Sequence, residues 1–206
     1  MSLLWIIARS SGLMAVALLS AVIALGILSS ADFGPRRWSR FVTNGLHRRL
    51  AYLACAMLGL HILAIVADSY VTVNLIDVVV PFSSSYERIA VGLGALAFDA
   101  MVVLVATSLA RRYLPFSMWQ VVHVAAYAIW PLAILHGLLA GTDDLLALGI
   151  SMAGALAVGS VALFRIFSRA TPRPAARATA APQSPSATRV VVGEPQRDTK
   201  ALTPTP

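Results

Sequence analysis

The sequence predicts an all-α membrane protein with five transmembrane helices, and three observations support this fold class. Of the 206 residues, 58% are hydrophobic and only 12% are charged, which is far from the profile of a soluble globular domain. A helix needs about 20 residues to cross a hydrocarbon core, and five apolar stretches are each long enough to do so. Arginines gather in alternate links between these stretches, as they do in short cytoplasmic loops.

The five helices are predicted at residues 3–28, 45–67, 88–110, 117–140 and 144–167. The first stretch is too long for a signal peptide, has no basic start, and is followed by GPRRWSR rather than by a small-residue cleavage site. We therefore interpret it as a true helix. The link at about 69–87 contains the apolar run YVTVNLIDVVVPF, which predicts an interfacial or re-entrant segment.

Basic residues orient the predicted bundle because cytoplasmic loops collect them. They lie between helices one and two and just inside helix two, between helices three and four, and from the end of helix five onwards: Arg36, Arg37, Arg40, Arg48, Arg49, Arg111, Arg112, Arg165, Arg169 and Arg173. The other two links are mainly acidic. We expect the N-terminus outside and the C-terminus in the cytoplasm. The net charge of +7 then reflects topology, and no basic stripe interleaved with exposed aromatics predicts nucleic-acid binding.

The chain divides into a predicted membrane domain at 1–169 and a tail at 170–206 that is rich in Pro, Ala, Thr and Ser. Such a composition cannot bury a core, so the tail is expected to be disordered and cytoplasmic. Neither a Gly-rich phosphate loop nor strand–helix alternation is present, so we expect no flavin or nucleotide site in this chain. Cys55 is the only cysteine, which excludes an intramolecular disulfide.

All four histidines lie inside the predicted membrane helices, where ionisable side chains are costly and are functional candidates by default. His47 and His61 lie in helix two, fourteen residues apart. At about 1.5 Å and about 100° per residue, this spacing gives roughly 21 Å of rise and falls only about 40° short of four whole turns. Both imidazoles are therefore predicted on one face of helix two, at two depths.

Helix four repeats the arrangement with His123 and His136, thirteen residues apart. In a straight helix this spacing would leave the second imidazole about 140° away from the first. Pro131 lies between them, and an internal proline kinks or rewinds a helix. Because helices two and four run in the same direction, we expect His47 to meet His123 near the inner face and His61 to meet His136 nearer the outer face.

Two pairs of imidazoles at two depths indicate two bis-histidine b-type haems stacked across the membrane, because neutral imidazole is a good axial ligand for haem iron. Trp130 lies at mid-depth, where it either assists electron transfer or simply packs. Small neighbours are expected to make room for the flat macrocycles: Ala51, Ala54, Ala56 and Gly59 in helix two, and Ala125, Ala126 and Ala128 in helix four.

Two other interpretations of the histidines stay open. Hydrogen bonding between helices is the ordinary role of a lone transmembrane histidine, although four histidines in two matched pairs weigh against it. A metal-ion transporter needs one compact coordination site, which pairs roughly 20 Å apart do not make. Both alternatives belong to a different class of protein, a non-redox membrane scaffold or transporter.

The histidine spacings resemble those of the ferric reductase-like transmembrane domain. The segments that carry the resemblance are ARSSG, LHRRLAYLACAMLGLHILAIVAD, VVVPFSSSYERIAVGLGALAFD and TSLARRYLPFSMWQVVHVAAYAIWPLAILHGLLAGTD. This domain is shared by ferric reductases, NADPH oxidases and the haem-binding membrane subunit of methionine sulfoxide reductases, and the chain looks like an actinobacterial stand-alone form. The resemblance covers about residues 5–167.

The resemblance implies an oxidoreductase subunit of the plasma membrane. In such a subunit, electrons pass from the cytoplasmic face through the inner and then the outer haem to an extracytoplasmic acceptor. Full-length relatives carry a flavin and NAD(P)H domain where this sequence has its tail, so the implied donor is a separate flavin/NAD(P)H reductase or a membrane quinol. A related alternative is a haem-binding subunit that donates electrons to an extracytoplasmic reductase partner.

Three arginines gain roles from the resemblance. In the family an arginine at the position of Arg9 lies by the outer haem, so Arg9 is expected to neutralise a propionate or polarise an acceptor. The alternative is snorkelling to the interface. Arg48 and Arg49 flank His47 and are expected to hold inner-haem propionates as charge-assisted pairs, unless topology alone places them there.

Overall fold

A computed structural model describes residues 2–29, 40–69, 71–141 and 144–170 of the chain, and the side chains of Arg40, Asp144 and residues 168–170 are left out of that description. Every element of the described chain is helical. In order, these elements are α1 (Leu3–Ser29), α2 (Arg40–Ala67), α3 (Leu75–Val79), α4 (Arg88–Leu109), a 3-10 turn (Arg111–Tyr113), α5 (Phe116–Val124), α6 (Ala126–Ala140) and α7 (Asp144–Ala170).

Five stretches of the described chain are long and apolar enough to cross a membrane: 3–29, 41–67, 88–109, 116–140 and 145–167. The predicted fold class is therefore confirmed, and the chain is a multi-pass membrane protein. The predicted orientation stays a prediction, since several of the arginines behind it lie outside the described residues. The predicted tail also lies outside them, apart from Ala170 at the end of α7.

The fourth span is interrupted at Ala125, whereas the sequence places the change at Pro131. The N–H of Ala125 donates to the carbonyls of Val121 and Val122, and the N–H of Ala128 donates to Ala125. Bonds of the i→i+3 type advance the chain by about 120° per residue instead of about 100°. This tightened turn supplies part of the rotation that brings the two histidines of the span to one side. The helix α6 continues through Pro131.

The helices pack as two groups, with α1 lying along α2 and against α7, and α4 lying along α6. An apolar layer joins the groups at mid-bundle, and we call it the central layer. Its buried members are Leu19, Ile23 and Ile27 of α1, Ala97 of α4, Ile129 of α6 and Val158 of α7. Trp130 packs against this layer, and its indole N–H donates to the Ser20 hydroxyl at 2.8 Å.

The end of the bundle that holds His61 is covered by residues 71–87, which include α3, and we call them the cap segment. Val71 and Val73 are buried there. The Phe82 ring packs on Gly92 of α4, where a side chain would have no room. Arg88 donates from Nε to the Phe82 carbonyl at 2.8 Å and fixes the left-handed backbone of Phe82, whose φ is 64°. The predicted interfacial segment is thus a short helix with anchored flanks.

Asp77 holds the cap segment together from within. Its carboxylate accepts a hydrogen bond from the Ser83 hydroxyl at 2.6 Å and another from the backbone N–H of Asn74 at 2.9 Å. Both donors favour the charged form of the carboxylate, so they lower the pKa of Asp77 below its ordinary value. A carboxylate of this kind stabilises its segment above its unfolded pKa of about 4, and the stabilisation is lost as the pH falls through the lowered pKa.

We therefore expect amide hydrogen exchange in the cap segment to accelerate as the pH falls below about 4, after correction for the intrinsic pH dependence of exchange. Asp77→Asn should show the faster exchange already at pH 7. Glu87→Gln changes an exposed acid of the same segment and serves as the control. Equal exchange in wild type and Asp77→Asn at pH 7 would contradict this role of Asp77.

Candidate functional site: two histidine pairs

The structure brings the four membrane histidines together as two pairs. The ring centroids of His47 and His123 lie 6.2 Å apart with planes tilted by 56°, and we call this the first pair. The rings of His61 and His136 lie 6.1 Å apart at 82° and form the second pair. These are the pairings that the spacing of the histidines predicts. Along the helices the two pairs are separated by roughly 20 Å.

Three of the four imidazoles are fixed by a backbone carbonyl of a neighbouring helix. Nδ1 of His47 lies 3.0 Å from the carbonyl oxygen of Val22, and Nδ1 of His61 lies 2.7 Å from that of Ala8. Nδ1 of His136 lies 2.7 Å from the carbonyl oxygen of Ala90. A carbonyl oxygen only accepts hydrogen bonds, so each of these Nδ1 atoms carries the proton and donates it.

A neutral imidazole protonated at Nδ1 keeps its lone pair at Nε2. Histidines that bind a metal through one nitrogen almost always donate the other N–H to a carbonyl or carboxylate, which fixes the tautomer and the ring orientation. His47, His61 and His136 are therefore held in the tautomer of a metal ligand. Ordinary helix-to-helix hydrogen bonding accounts for the Nδ1 contacts but not for the pairing of the rings.

Two glycines make the close approach of the rings to the helix backbone feasible. In an α-helix the carbonyl of residue i bonds to the N–H of residue i+4, so the side chain of residue i+4 stands beside that carbonyl. Gly12 is four residues after Ala8, and a Cβ there would come within 2.8 Å of Nδ1 of His61. Gly94 is four residues after Ala90, and its Cβ would come within 2.7 Å of Nδ1 of His136.

Gly26 repeats the pattern four residues after Val22, although a Cβ there would meet the His47 ring at an ordinary contact distance of 3.5 Å. These glycines are not among the residues predicted above, although the sequence carries a signal for them. Gly12 and Gly26 are fourteen residues apart in α1, the same spacing as the two histidines of α2. In an antiparallel helix pair, equal spacings bring both positions of one helix to both positions of the other.

A cavity of about 240 Å³ lies at the second pair. Both rings line it, and so do Gly12 and Gly94 beside them. The cap segment closes part of its wall through Val71, Val73, Asp77, Val78 and Tyr86. The space next to these imidazoles is therefore bounded by the bundle and the cap together.

The three predicted arginines lie in different surroundings. Arg9 lines the cavity at the second pair, with its guanidinium carbon 5.4 Å from the centre of the Trp5 ring. Arg48 and Arg49 follow His47 directly on α2, and both are exposed. The structure therefore places Arg9 beside the second pair, and it places the other two at the surface at the level of the first pair.

In the sequence, Trp130 lies between His123 and His136. In the structure, it packs against the central layer. Its bond to Ser20 links α6 to α1 across the bundle. Gly154 of α7 leaves room for this contact, since a Cβ there would lie 2.5 Å from the Ser20 hydroxyl. The indole is therefore fixed as a packed and hydrogen-bonded part of the layer between the pairs.

The small residues expected to make room for the macrocycles differ in exposure. Ala54 is buried and lines the cavity, but Ala56, Gly59, Ala125 and Ala128 are exposed. The close approach of the rings to a helix backbone is made by neighbouring helices, through Gly12 of α1 and Gly94 of α4, and the room beside the predicted small residues stays a prediction.

The residues present fit a haem better than a metal ion bound by protein ligands alone. In the described chain, no group of three or more His, Cys, Asp or Glu side chains is arranged to hold a metal ion. A haem brings the in-plane ligands of its iron and takes only axial ligands from the protein. A metal–nitrogen bond is about 2 Å long. Two such bonds, added to the distance from each ligating nitrogen to the centre of its own ring, roughly equal the distance between the paired ring centroids.

The comparison with protein families gives one finding. The family described as "Ferric reductase like transmembrane component" matches residues 11–134, which is more than half of the chain and includes three of the four histidines. A search of curated proteins and a search of solved structures each found no match.

Gly12→Ala is expected to destabilise the protein, because the new Cβ would displace the His61 ring from the Ala8 carbonyl. Overpacking of this kind costs about 1–3 kcal/mol. The measurement is the thermal unfolding midpoint of the purified protein in detergent. Gly26→Ala is the matched control, since it makes the same change in the same helix with an ordinary contact to His47. If the two variants melted alike, the close approach at Gly12 would not matter.

Proposed function

The chain belongs to the ferric reductase-like transmembrane family, and we propose that it transfers electrons across the plasma membrane with the help of two b-type haems. His47 and His123 would hold one haem, and His61 and His136 the other. The observation that carries the proposal is the combination of paired rings with Nδ1–carbonyl bonds on three of the four histidines. A haem with two axial imidazoles supplies reversible one-electron chemistry at its iron.

The residues around the rings prepare them for this role. The carbonyls of Ala8, Val22 and Ala90 fix three rings, so little rotamer freedom remains to be lost when a ligand binds. The apolar helices and the cap segment line the cavity at the second pair, so its surroundings are mainly apolar. The central layer fills the space between the pairs with packed side chains, including Trp130.

The proposed direction follows from the positive-inside rule. With the N-terminus outside, the first pair lies near the cytoplasmic face and the second pair lies near the extracytoplasmic face, under the cap segment. Arg111 and Arg112 in the 3-10 turn and Arg48 and Arg49 on α2 then form a basic rim at the cytoplasmic end. We propose a flavin/NAD(P)H reductase or a membrane quinol as donor and an extracytoplasmic acceptor.

Arg9 is proposed to act at the second site. It lines the cavity there together with His61 and His136, so its charge lies where a propionate or an anionic acceptor would be bound. Arg48 and Arg49 are proposed to contact propionates of the first site. Their exposure also lets them serve the donor side, because exposed cations steer acidic partners.

The purified protein should contain about two b-type haems per chain, since two pairs of axial ligands are available. The measurement is a reduced-minus-oxidised absorbance spectrum with a pyridine haemochrome count. His61→Ala should retain about one haem, and Cys55→Ala, a change on the same helix away from the rings, should retain both. A colourless wild-type protein from cells with ample haem would reject the proposal in favour of a scaffold or transporter.

Arg9→Gln should move the midpoint potential of one haem to a more negative value, because a nearby positive charge favours the reduced form. The redox titration should leave the other haem unchanged. Arg9→Lys is the matched control, since it keeps a positive charge at the same position and should leave both midpoints nearly in place. An unchanged titration for Arg9→Gln would favour snorkelling to the interface.

A further inference from the structure

His123 differs from the other three histidines in what fixes its ring. Within the described chain, its Nδ1 is buried and has no hydrogen-bond partner. The indole N–H of Trp119 is also buried without a hydrogen-bond partner among these residues. Buried polar groups normally find partners, so a different kind of contact must set the orientation of this ring.

Aromatic stacking takes the place of the carbonyl at His123. Trp119, one helical turn earlier in α5, stacks on the imidazole with ring centroids 4.7 Å apart and planes 21° apart. The guanidinium carbon of Arg111 lies 4.3 Å from the centre of the same indole. A guanidinium over an indole face is a cation–π contact. Arg111, Trp119 and His123 therefore form one stack, which begins at the exposed end of the bundle.

This stack changes the electronic properties of the ligand. A carbonyl that accepts the imidazole N–H makes the ligand more basic, and His123 has no such acceptor among the described residues. A less basic ligand, with a guanidinium held nearby, favours the reduced form of an iron bound to it. The second pair also has a guanidinium nearby, because Arg9 lines its cavity, but both of its rings donate to carbonyls. The two sites therefore differ in what the ring of His123 has beside it, a stacked indole in place of a carbonyl acceptor.

We propose that Trp119 and Arg111 are positioning residues for His123, and that their stack gives the first site the more positive of the two midpoint potentials. The inference rests on the proposed function, since it assigns a role toward the haem held by the first pair. It names a specific difference between two sites that otherwise share the same ligands.

The first test compares Arg111→Gln with Arg112→Gln in redox titrations of the purified two-haem protein. The two arginines are adjacent and exposed, and each loses one charge. Only Arg111 lies on Trp119, whereas Arg112 lies 4.5 Å from the Tyr113 ring. Arg111→Gln should move the more positive midpoint to a more negative value, and Arg112→Gln should move it less than half as far. Equal shifts would overturn the inference.

The second test reads the ring orientation directly. The electron paramagnetic resonance signal of low-spin ferric iron depends on the angle between its two imidazole planes, and the pairs differ in this angle, 56° against 82°. Trp119→Leu should alter or remove the signal of the first site while preserving that of the second. Trp119→Phe keeps an aromatic face and should restore it. Two unchanged signals, or equal changes in both, would overturn the inference.

These outcomes separate the inference from the proposed function. A wild-type protein that binds no haem would reject both. A wild-type protein with two haems, whose Arg111→Gln and Arg112→Gln variants titrate alike, would reject only the role of the stack. A more positive midpoint that belongs to the second site, identified by its loss in His61→Ala, would do the same.

Discussion

The arrangement of the helices depends on how a buried imidazole N–H finds an acceptor inside a membrane. Water is absent from the hydrocarbon core, and an unpaired buried donor costs about 1–3 kcal/mol. Helix carbonyls are the nearest acceptors, but each stands beside the side chain four residues further along. The ring reaches the carbonyl most easily where that residue is glycine, as at Gly12 and Gly94. The positions of two glycines thus select where two imidazoles can settle.

This constraint fixes the register of neighbouring helices. In α1 the contacts to Ala8 and Val22 are fourteen residues apart, and in α2 His47 and His61 have the same spacing. Two contacts between the same two helices define both their relative height and their rotation, which one contact cannot do. The bond from His136 to Ala90 adds one contact of the same kind between α6 and α4. The central layer adds apolar packing between helices whose positions these hydrogen bonds also constrain.

Much of this architecture can be predicted from the sequence, because it follows from apolar length and helical periodicity. The five spans follow from apolar length. The pairings follow from the fourteen residues between His47 and His61 and the thirteen between His123 and His136, provided that the fourth span departs locally from a regular helix. The break at Ala125 is different. Tightening there depends on bonds of the i→i+3 type, and nothing in the alanine-rich sequence separates residue 125 from its neighbours. Pro131, the obvious candidate, stays inside a helix.

Contacts between helices were the other limit of prediction. The rings of His61 and His136 approach Gly12 of α1 and Gly94 of α4, which are not the small residues that lie near these histidines in the sequence. The side from which a ring is approached is set by the neighbouring helix, whose small residues are far away in the sequence. The equal spacing of Gly12 and Gly26 with the histidines of α2 was readable, but it acquires meaning only once α1 and α2 are known to be antiparallel neighbours.

The two pairs are alike in one half of the bundle and different in the other. Equal spacings of fourteen residues give α1 and α2 nearly equivalent contacts at both pairs. Thirteen residues, the spacing of His123 and His136, do not make a whole number of helical turns. The tightened turn at Ala125 therefore helps to bring these two imidazoles to the same side of the fourth span. That turn separates α5 from α6, and it leaves His123 on a short helix with Trp119 one turn before it. The same departure from helical periodicity that allows two pairs also makes the first pair unlike the second.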